Sequence, residues 1–396
     1  MTEEVKIMIN PPDDAELGRE RQPIEAYLTV PDGGVREGTG VFFLIDGLRG
    51  RADFESTDAL LRTYIAETFN AVVVCVSYFG IQRGAGLQVS KNFLYNFNRI
   101  YSASLEEETF VKLGSREAAY KLIAETLLER GVTSCDLRCQ PLMVTGRNEY
   151  QSWGLMPALD CLAVLGDLLR RYAVDRRRVM AFGMNYGGHI AMMMDKLAPG
   201  TLSSVITLDP YCRAEMKHII CGEILEADML VSFDLIGKDY PFILGVSSHN
   251  PWTIKDQFSD AYFSDAHKAV RCLLNEGHLP GAGTKYYVYD TKNGDYDYPD
   301  DVERLGGLLA RRAVTRYERL TDADFPDLKN VDEMAILRRL VSGIETDGTG
   351  IAGLDRDDDR CAFGGEGSTH ELDCGDRVYA VSYTPRGRVR AEIRKR

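Results

Sequence analysis

The sequence has little of what would tie it to a membrane, a nucleic acid or a metal. No run of residues approaches the length needed to cross a bilayer, and the first residues, MTEEVKIMINPPDDAEL, offer no basic stretch followed by an apolar one. A cytoplasmic protein without a membrane partner is the expectation. Bases are in deficit, with 47 Lys and Arg against 60 Asp and Glu and a net charge of −13. That balance argues against a nucleic-acid partner, because phosphate contacts need clustered cations. The one basic concentration is Arg386 to Arg396, which reads as a solvated strand or tail. Cysteines number nine, odd and scattered; Cys75 and Cys161 sit inside apolar runs and read as small core residues. Cys135 and Cys139 lack a second Cys/His pair at zinc-site spacing. The run Asp355 to Asp359 lacks the glycine and terminal glutamate of a calcium loop. No metal and no cofactor is expected.

What is present is an ordinary globular composition, 44% hydrophobic and 27% charged, over 396 residues. Continuous apolar runs of strand length, VFFLI at 41–45 and AVVVCVSY at 71–78, alternate with amphipathic helical stretches such as Gly154 to Tyr172. Further strands are expected at 25–30, 178–184, 204–208, 242–246, 284–290 and 313–320, with helices near 56–68, 187–197, 261–274, 301–309 and 332–344. This alternation predicts an α/β protein with a doubly wound, mostly parallel sheet. Residues 1–24 form an N-terminal segment and 25–344 the main domain. The stretch from about 80 to 150 breaks the alternation and reads as an inserted cap. Residues 345–369 have Gly/Asp-rich linker composition, and 370–396 form a small β extension, with 376–384 and 388–393 pairing across PRG at 385–387.

The strongest local signal is AFGMNYGGHIAMMM at 181–194, where a strand runs into Gly183-Met184-Asn185-Tyr186-Gly187-Gly188 and a helix begins at once. That is the strand–turn–helix setting of a G-x-S-x-G nucleophile elbow, with Asn185 where the serine would be. Glycines flank such a turn because neighbouring backbone packs closely, and asparagine tolerates the positive φ at its centre. The blander alternative is a tight βα turn in a Rossmann-like sheet. An asparagine carboxamide does not replace a serine hydroxyl as acyl acceptor. In the α/β-hydrolase fold, oxyanion N–H groups come from the residue after the nucleophile, here Tyr186, and from the loop after the 41–45 strand, here Gly47 or Leu48. Of the six histidines, His249 in SSHNPWT is the best placed to line a crevice.

The blocks NEYQSWGLMPALDCLAVLGDLLRRY, FGMNYGGHIAMMMDKLAPGTLSSVI and SSHNPWTIKDQFSDAYFSDAHKAVRCLLNEGHL, in this order, resemble an uncharacterised bacterial α/β-hydrolase-like family, domain of unknown function 2920. Its members are often encoded in flagellin-glycosylation and motility loci. The resemblance covers roughly residues 25 to 340 and implies a serine at position 185, an acid after the 284–290 strand and a histidine before the last helix. The acid would fall on Asp295, with Asp297 second, and the histidine near Asn330, where none is present. With two of three triad positions changed, the reading is a catalytically degenerate hydrolase-fold protein. It would bind a small molecule, a glycan or a protein partner in surface or flagellar glycan modification. The alternatives are an active esterase, deacetylase or acyltransferase on a sugar with a rearranged site, or a working serine disabled by substitution.

Overall fold

The computed structural model describes the chain apart from residues 1, 48, 49, 51, 56, 82–87, 90, 114, 115, 133–136, 140, 143–148, 151, 215–228, 235–240, 247–263, 280–282 and 294–297. Eight strands form the main sheet: β1 (Glu3–Ile9), β2 (Ile24–Val30), β3 (Gly40–Ile45), β4 (Ala71–Val76), β5 (Val179–Met184), β6 (Ser204–Leu208), β7 (Lys285–Asp290) and β8 (Thr315–Arg319). Their order across the sheet is β1-β2-β4-β3-β5-β6-β7-β8. Strands β1 and β2 run antiparallel at one edge, and every pairing from β4 to β8 is parallel. Such a strand order, with helices in the crossovers, is that of the α/β-hydrolase fold.

The strands form where the apolar runs predict them. Every residue of β3, β4 and β6 is buried, as expected for parallel strands covered on both faces. Strand β1 is an addition to the predicted set. Its alternation is short and charged, but Ile7 and Ile9 point inward while Met8 is 52% exposed, the period of a half-covered edge strand. Helix α1 (Ala59–Phe69) starts later than expected because Asp58 caps it, its carboxylate accepting the Leu60 N–H at 2.8 Å. Helix α2 (Leu155–Arg171) is buried along most of its length, and α3 (Tyr186–Leu197) is buried throughout. Helices α4 (Asp265–Arg271), α5 (Asp301–Leu309) and α6 (Glu333–Thr346) follow.

The chain divides into two compact units. The first comprises Met1–Ile81, Ser152–Ala214 and Ile254–Arg396, and contains the main sheet. The second comprises Gln82–Gln151 and Glu215–Thr253. It has its own apolar core, in which Phe97, Phe110, Ile123 and Leu127 pack together, and a three-stranded sheet of Met229–Asp234, Pro241–Val246 and Leu137–Cys139.

Residues 345–369, read as linker composition, are stitched onto the first unit. Leu354 and Phe363 are buried. Backbone carbonyls in this stretch accept from side chains at the starts of β6 and β7: Ser204 Oγ donates to Leu354 O at 2.7 Å, and Lys285 Nζ to Gly353 O at 2.8 Å. Its carboxylates face arginines, Asp355 against Arg178 at 3.2 Å and Asp358 against Arg356 at 2.6 Å. The C-terminal extension is a three-stranded antiparallel sheet of β9 (Ser368–Asp373), β10 (Arg377–Tyr383) and β11 (Val389–Lys395). The pairing expected across residues 385–387 is there, with β9 added. Tyr383 Oη anchors the sheet by donating to Leu197 O at 2.8 Å.

One buried ion pair locks the N-terminal arm to α2. The Asp160 carboxylate, fully buried, accepts both Arg21 terminal nitrogens at 2.7 and 2.8 Å and the Phe79 N–H at 2.8 Å. Removing the acid takes a bidentate carboxylate away from a buried guanidinium. Asp160→Ala is therefore expected to cost about 3–5 kcal/mol in urea unfolding; a loss within ~0.5 kcal/mol, the range of an ordinary surface change, would show the pair to be dispensable.

Candidate functional site

Asn185 lies between β5 and α3 with φ 49° and ψ −111°. A branched side chain would resist this backbone conformation, which asparagine accepts. The turn is held from both sides. Asn185 N–H donates to Leu208 O at 2.9 Å, and Asn185 O accepts from His189 N at 3.0 Å and Tyr211 N at 3.2 Å. A Cβ on Gly187 would lie 2.2 Å from Ile45 O, and one on Gly183 would lie 2.3 Å from the Gly187 carbonyl carbon. The glycines thus allow α3 to begin directly against the ends of β3 and β5. This is the strand–turn–helix geometry that the sequence spacing predicts, and Asn185 is partly exposed at its tip.

Tyr186, whose N–H the elbow motif would place in an oxyanion hole, starts α3 with a buried side chain. Its ring packs against Trp153 at 5.1 Å and stacks on His189 at 6.1 Å and 11°, and its hydroxyl accepts the Gly154 N–H at 3.0 Å. His189 is a strut beneath the elbow. Its Nδ1 faces Tyr211 O at 2.7 Å, and burial pulls its pKa down to about 4, so the ring is neutral. Gly154, at φ 85°, has no Cβ because the His189 ring occupies that space at 2.5 Å.

The loop after β3 meets the elbow, since the Ile45 and Asp46 carbonyls are the groups nearest Gly187. Gly47 accepts from Tyr78 Oη at 3.0 Å and from Gly50 N–H at 3.0 Å, which folds the loop back on itself. Leu48, the other expected oxyanion position, is outside the described residues, as are Asp295, Asp297 and His249. Asn330 is described and is exposed, on a short 3-10 turn, with its amide donating to Asp327 at 2.6 Å. Of the other described histidines, His267 faces Glu16 at 2.7 Å, His278 Nε2 faces Asp373 O at 2.6 Å, and His370 lies in β9. Among the described residues no group of three His, Cys, Asp or Glu is placed to hold a metal, and no helix is long and apolar enough to cross a membrane.

Three acids at strand ends lie outside the set of residues that the sequence motifs single out. Asp46 follows β3, and its Oδ2 is shielded from solvent without a hydrogen-bond partner among the described residues. A side chain at position 50 would strike it, because a Cβ on Gly50 would lie 2.4 Å from the Asp46 Cβ. Burial, then the charges of Glu333 and Asp53, push the Asp46 carboxyl up to about 7. Asp209 follows β6 at φ 47° and accepts the Thr291 N–H at 2.8 Å; burial raises it to about 6 against the pull of Thr291. Asp290, at the end of β7, accepts from Tyr317 Oη at 2.7 Å and the Lys292 N–H at 2.8 Å. Carboxyl groups thus follow or end three strands at the carboxyl edge of the sheet, where open α/β sheets bind ligands. Arg213, in the loop beyond β6, is paired with Asp301 at 2.6 Å, its guanidinium 4.0 Å from the centre of the Tyr298 ring.

The Asp46 shift has a sign that can be measured. A carboxyl whose folded pKa lies above its unfolded value takes up its proton more readily when folded, so stability falls as pH rises from about 4 to about 7. Asp46→Asn, which mimics the protonated form, is expected to exceed the parent by about 1–3 kcal/mol at alkaline pH and to match it in acid. Parallel stability profiles for the two proteins would refute this.

The chain is similar to several hydrolases of known structure at low sequence identity. The chain superposes on the puromycin-hydrolyzing peptidase of Mycobacterium tuberculosis with a TM-score of 0.44 and 14% identity, over 88% of this chain and 40% of that one. With the acylaminoacyl peptidase of Pyrococcus horikoshii the TM-score is 0.44 at 11% identity, over 89% and 42%. For the S-formylglutathione hydrolase of Agrobacterium tumefaciens the values are 0.39 and 12%, over 87% and 95%. The chain thus spans about two fifths of the length of the two peptidases. No curated protein matches it. Residues 6–289, well over half of the chain, match the family described as "Protein of unknown function (DUF2920)", and the chain belongs to that family.

Proposed function

We propose that this protein is a catalytically degenerate member of the α/β-hydrolase fold that binds a small hydroxylated ligand or glycan. Binding would use the crevice at the carboxyl edge of the sheet, in an accessory role in surface or flagellar glycan modification. The observation that carries the reading is Asn185 at the tip of a geometrically intact elbow. The carboxamide nitrogen lone pair is delocalised, so no side-chain base converts it into an acyl-accepting nucleophile. Asn330, at the expected histidine position, is exposed and bonded to Asp327, and His189, His267 and His278 are held by other partners. What remains suits recognition. Asn185 offers one acceptor and two donors, and Asp46, half protonated near neutrality, can donate to a hydroxyl or carbonyl oxygen or accept from a hydroxyl. The glycan connection rests on the family resemblance.

A second reading, an esterase, deacetylase or acyltransferase on a sugar with a rearranged site, draws on one observation. Asp46, poised near pH 7 beside the elbow, has the proton affinity of a general acid or base. The two readings separate on covalent chemistry. Incubation with a fluorophosphonate serine-hydrolase probe is expected to leave the mass of the protein unchanged, and short-chain acyl esters are expected to hydrolyse at the buffer rate. Stoichiometric labelling, or turnover that Asp46→Asn abolishes, would overturn the binding reading.

A further inference from the structure

The elbow makes no use of the basic stretch Arg386 to Arg396. In the folded chain Arg386 and Arg388 stand at the turn between β10 and β11, and they line a cleft of about 570 Å³. Arg170 and Arg171, from the last turn of α2, line it as well. Helix α2 leads directly into β5, so its carboxyl end lies toward the amino-terminal edge of the sheet, opposite the elbow.

The cleft is set by backbone contact and does not depend on its own charges. Gly387, at φ 77°, lies so close to α2 that a Cβ there would meet Gly166 O at 2.2 Å, and a Cβ on Gly166 would meet Gly387 O at 2.3 Å. The turn is closed by Gly387 N–H on Thr384 O at 2.9 Å and Thr384 N–H on Arg388 O at 3.0 Å. Two glycines back to back thus hold the arginines of the turn beside those at the end of α2.

The charge in this cleft is one-sided. Asp167 pairs with both Arg170 at 2.6 Å and Arg171 at 2.5 Å, so one carboxylate serves two guanidiniums. Arg386 and Arg388 form no ion pair among the described residues. Four guanidiniums around one carboxylate repel one another unless an anion joins them, and the guanidinium fork matches phosphate oxygens two at a time. The remaining wall is largely apolar, with Met8 and Pro11 among its residues. A cleft of this volume suits a small molecule. A nucleic-acid polymer would also meet the rest of a surface whose net charge is −13.

We propose that this cleft binds a small organic diphosphate, with Arg386 and Arg388 gripping the phosphates and the organic part resting on Met8 and Pro11. Calorimetric titration of the full chain with ADP, AMP and inorganic pyrophosphate at low ionic strength tests it. ADP is expected to bind about tenfold more tightly than AMP, one further charge-assisted contact being enough for that factor. Arg386→Ala and Arg388→Ala should each weaken ADP by about tenfold or more. Arg304→Ala removes the same charge from an exposed position on α5 outside the cleft and should leave the affinity within about twofold. Gly166→Ala keeps every charge but displaces the turn, and with its fold verified by circular dichroism it should weaken ADP as well. No binding of ADP or pyrophosphate, an equal loss from Arg304→Ala, or equal competition by sulfate at matched ionic strength would each overturn the proposal.

Discussion

Helix α3 begins where it does because residues 183 and 187 carry no Cβ, and most of the site's geometry follows from that contact. The Ile45 carbonyl oxygen fills the space a side chain at 187 would need. This close approach puts the end of β3, the end of β5 and the first turn of α3 within one small volume. It also holds Asn185 at a positive φ at the tip of the turn. A layer of rings supports the turn from below, Trp153 against Tyr186 and Tyr186 stacked on a neutral His189. The elbow is therefore a property of backbone packing and does not depend on the chemistry of the residue at its tip.

Around the elbow the strand ends gather carboxyl groups. Asp46 and Asp209 are both raised by burial, and they differ in what answers it. Asp209 has the Thr291 N–H and hydroxyl to accept from, whereas one Asp46 oxygen has no partner among the described residues. A buried polar atom without a partner is costly, and the cost is relieved if a ligand supplies the missing bond. Among the described acids at these strand ends, Asp46 is the one with a buried oxygen left for a further partner.

Much of this is legible in the sequence, for identifiable reasons. Parallel strands buried on both faces leave continuous apolar runs, so β3, β4 and β6 stand out, and the glycine spacing around Asn185 identifies the elbow. That residues 325–334 hold no histidine is plain from the sequence, while the expectation of one near Asn330 comes from the family resemblance alone. Strand β1 is hidden because an edge strand covered on one side carries charges at alternate positions. The packing of residues 345–369 is hidden because it relies on backbone carbonyls, which composition does not report. Asp46 and Asp209 leave a faint trace, an acid immediately after an apolar strand in FFLID and VITLD, but their raised proton affinities come from burial and neighbours brought together by the fold. The arginines of the C-terminal turn are visible as a basic run, and only the contact between Gly166 and Gly387 shows what they face.

If the elbow is retained as geometry without hydrolytic chemistry, as we propose, a hydroxyl placed at its tip gains nothing by itself. Asn185→Ser places a serine on an intact elbow with no histidine at the expected position. Assayed with a short-chain acyl ester against the parent protein, this variant is predicted to fold normally and to hydrolyse no faster than the parent. Turnover clearly above the parent would mean that a working base still stands beside the elbow, and would contradict the loss of its hydrolytic chemistry.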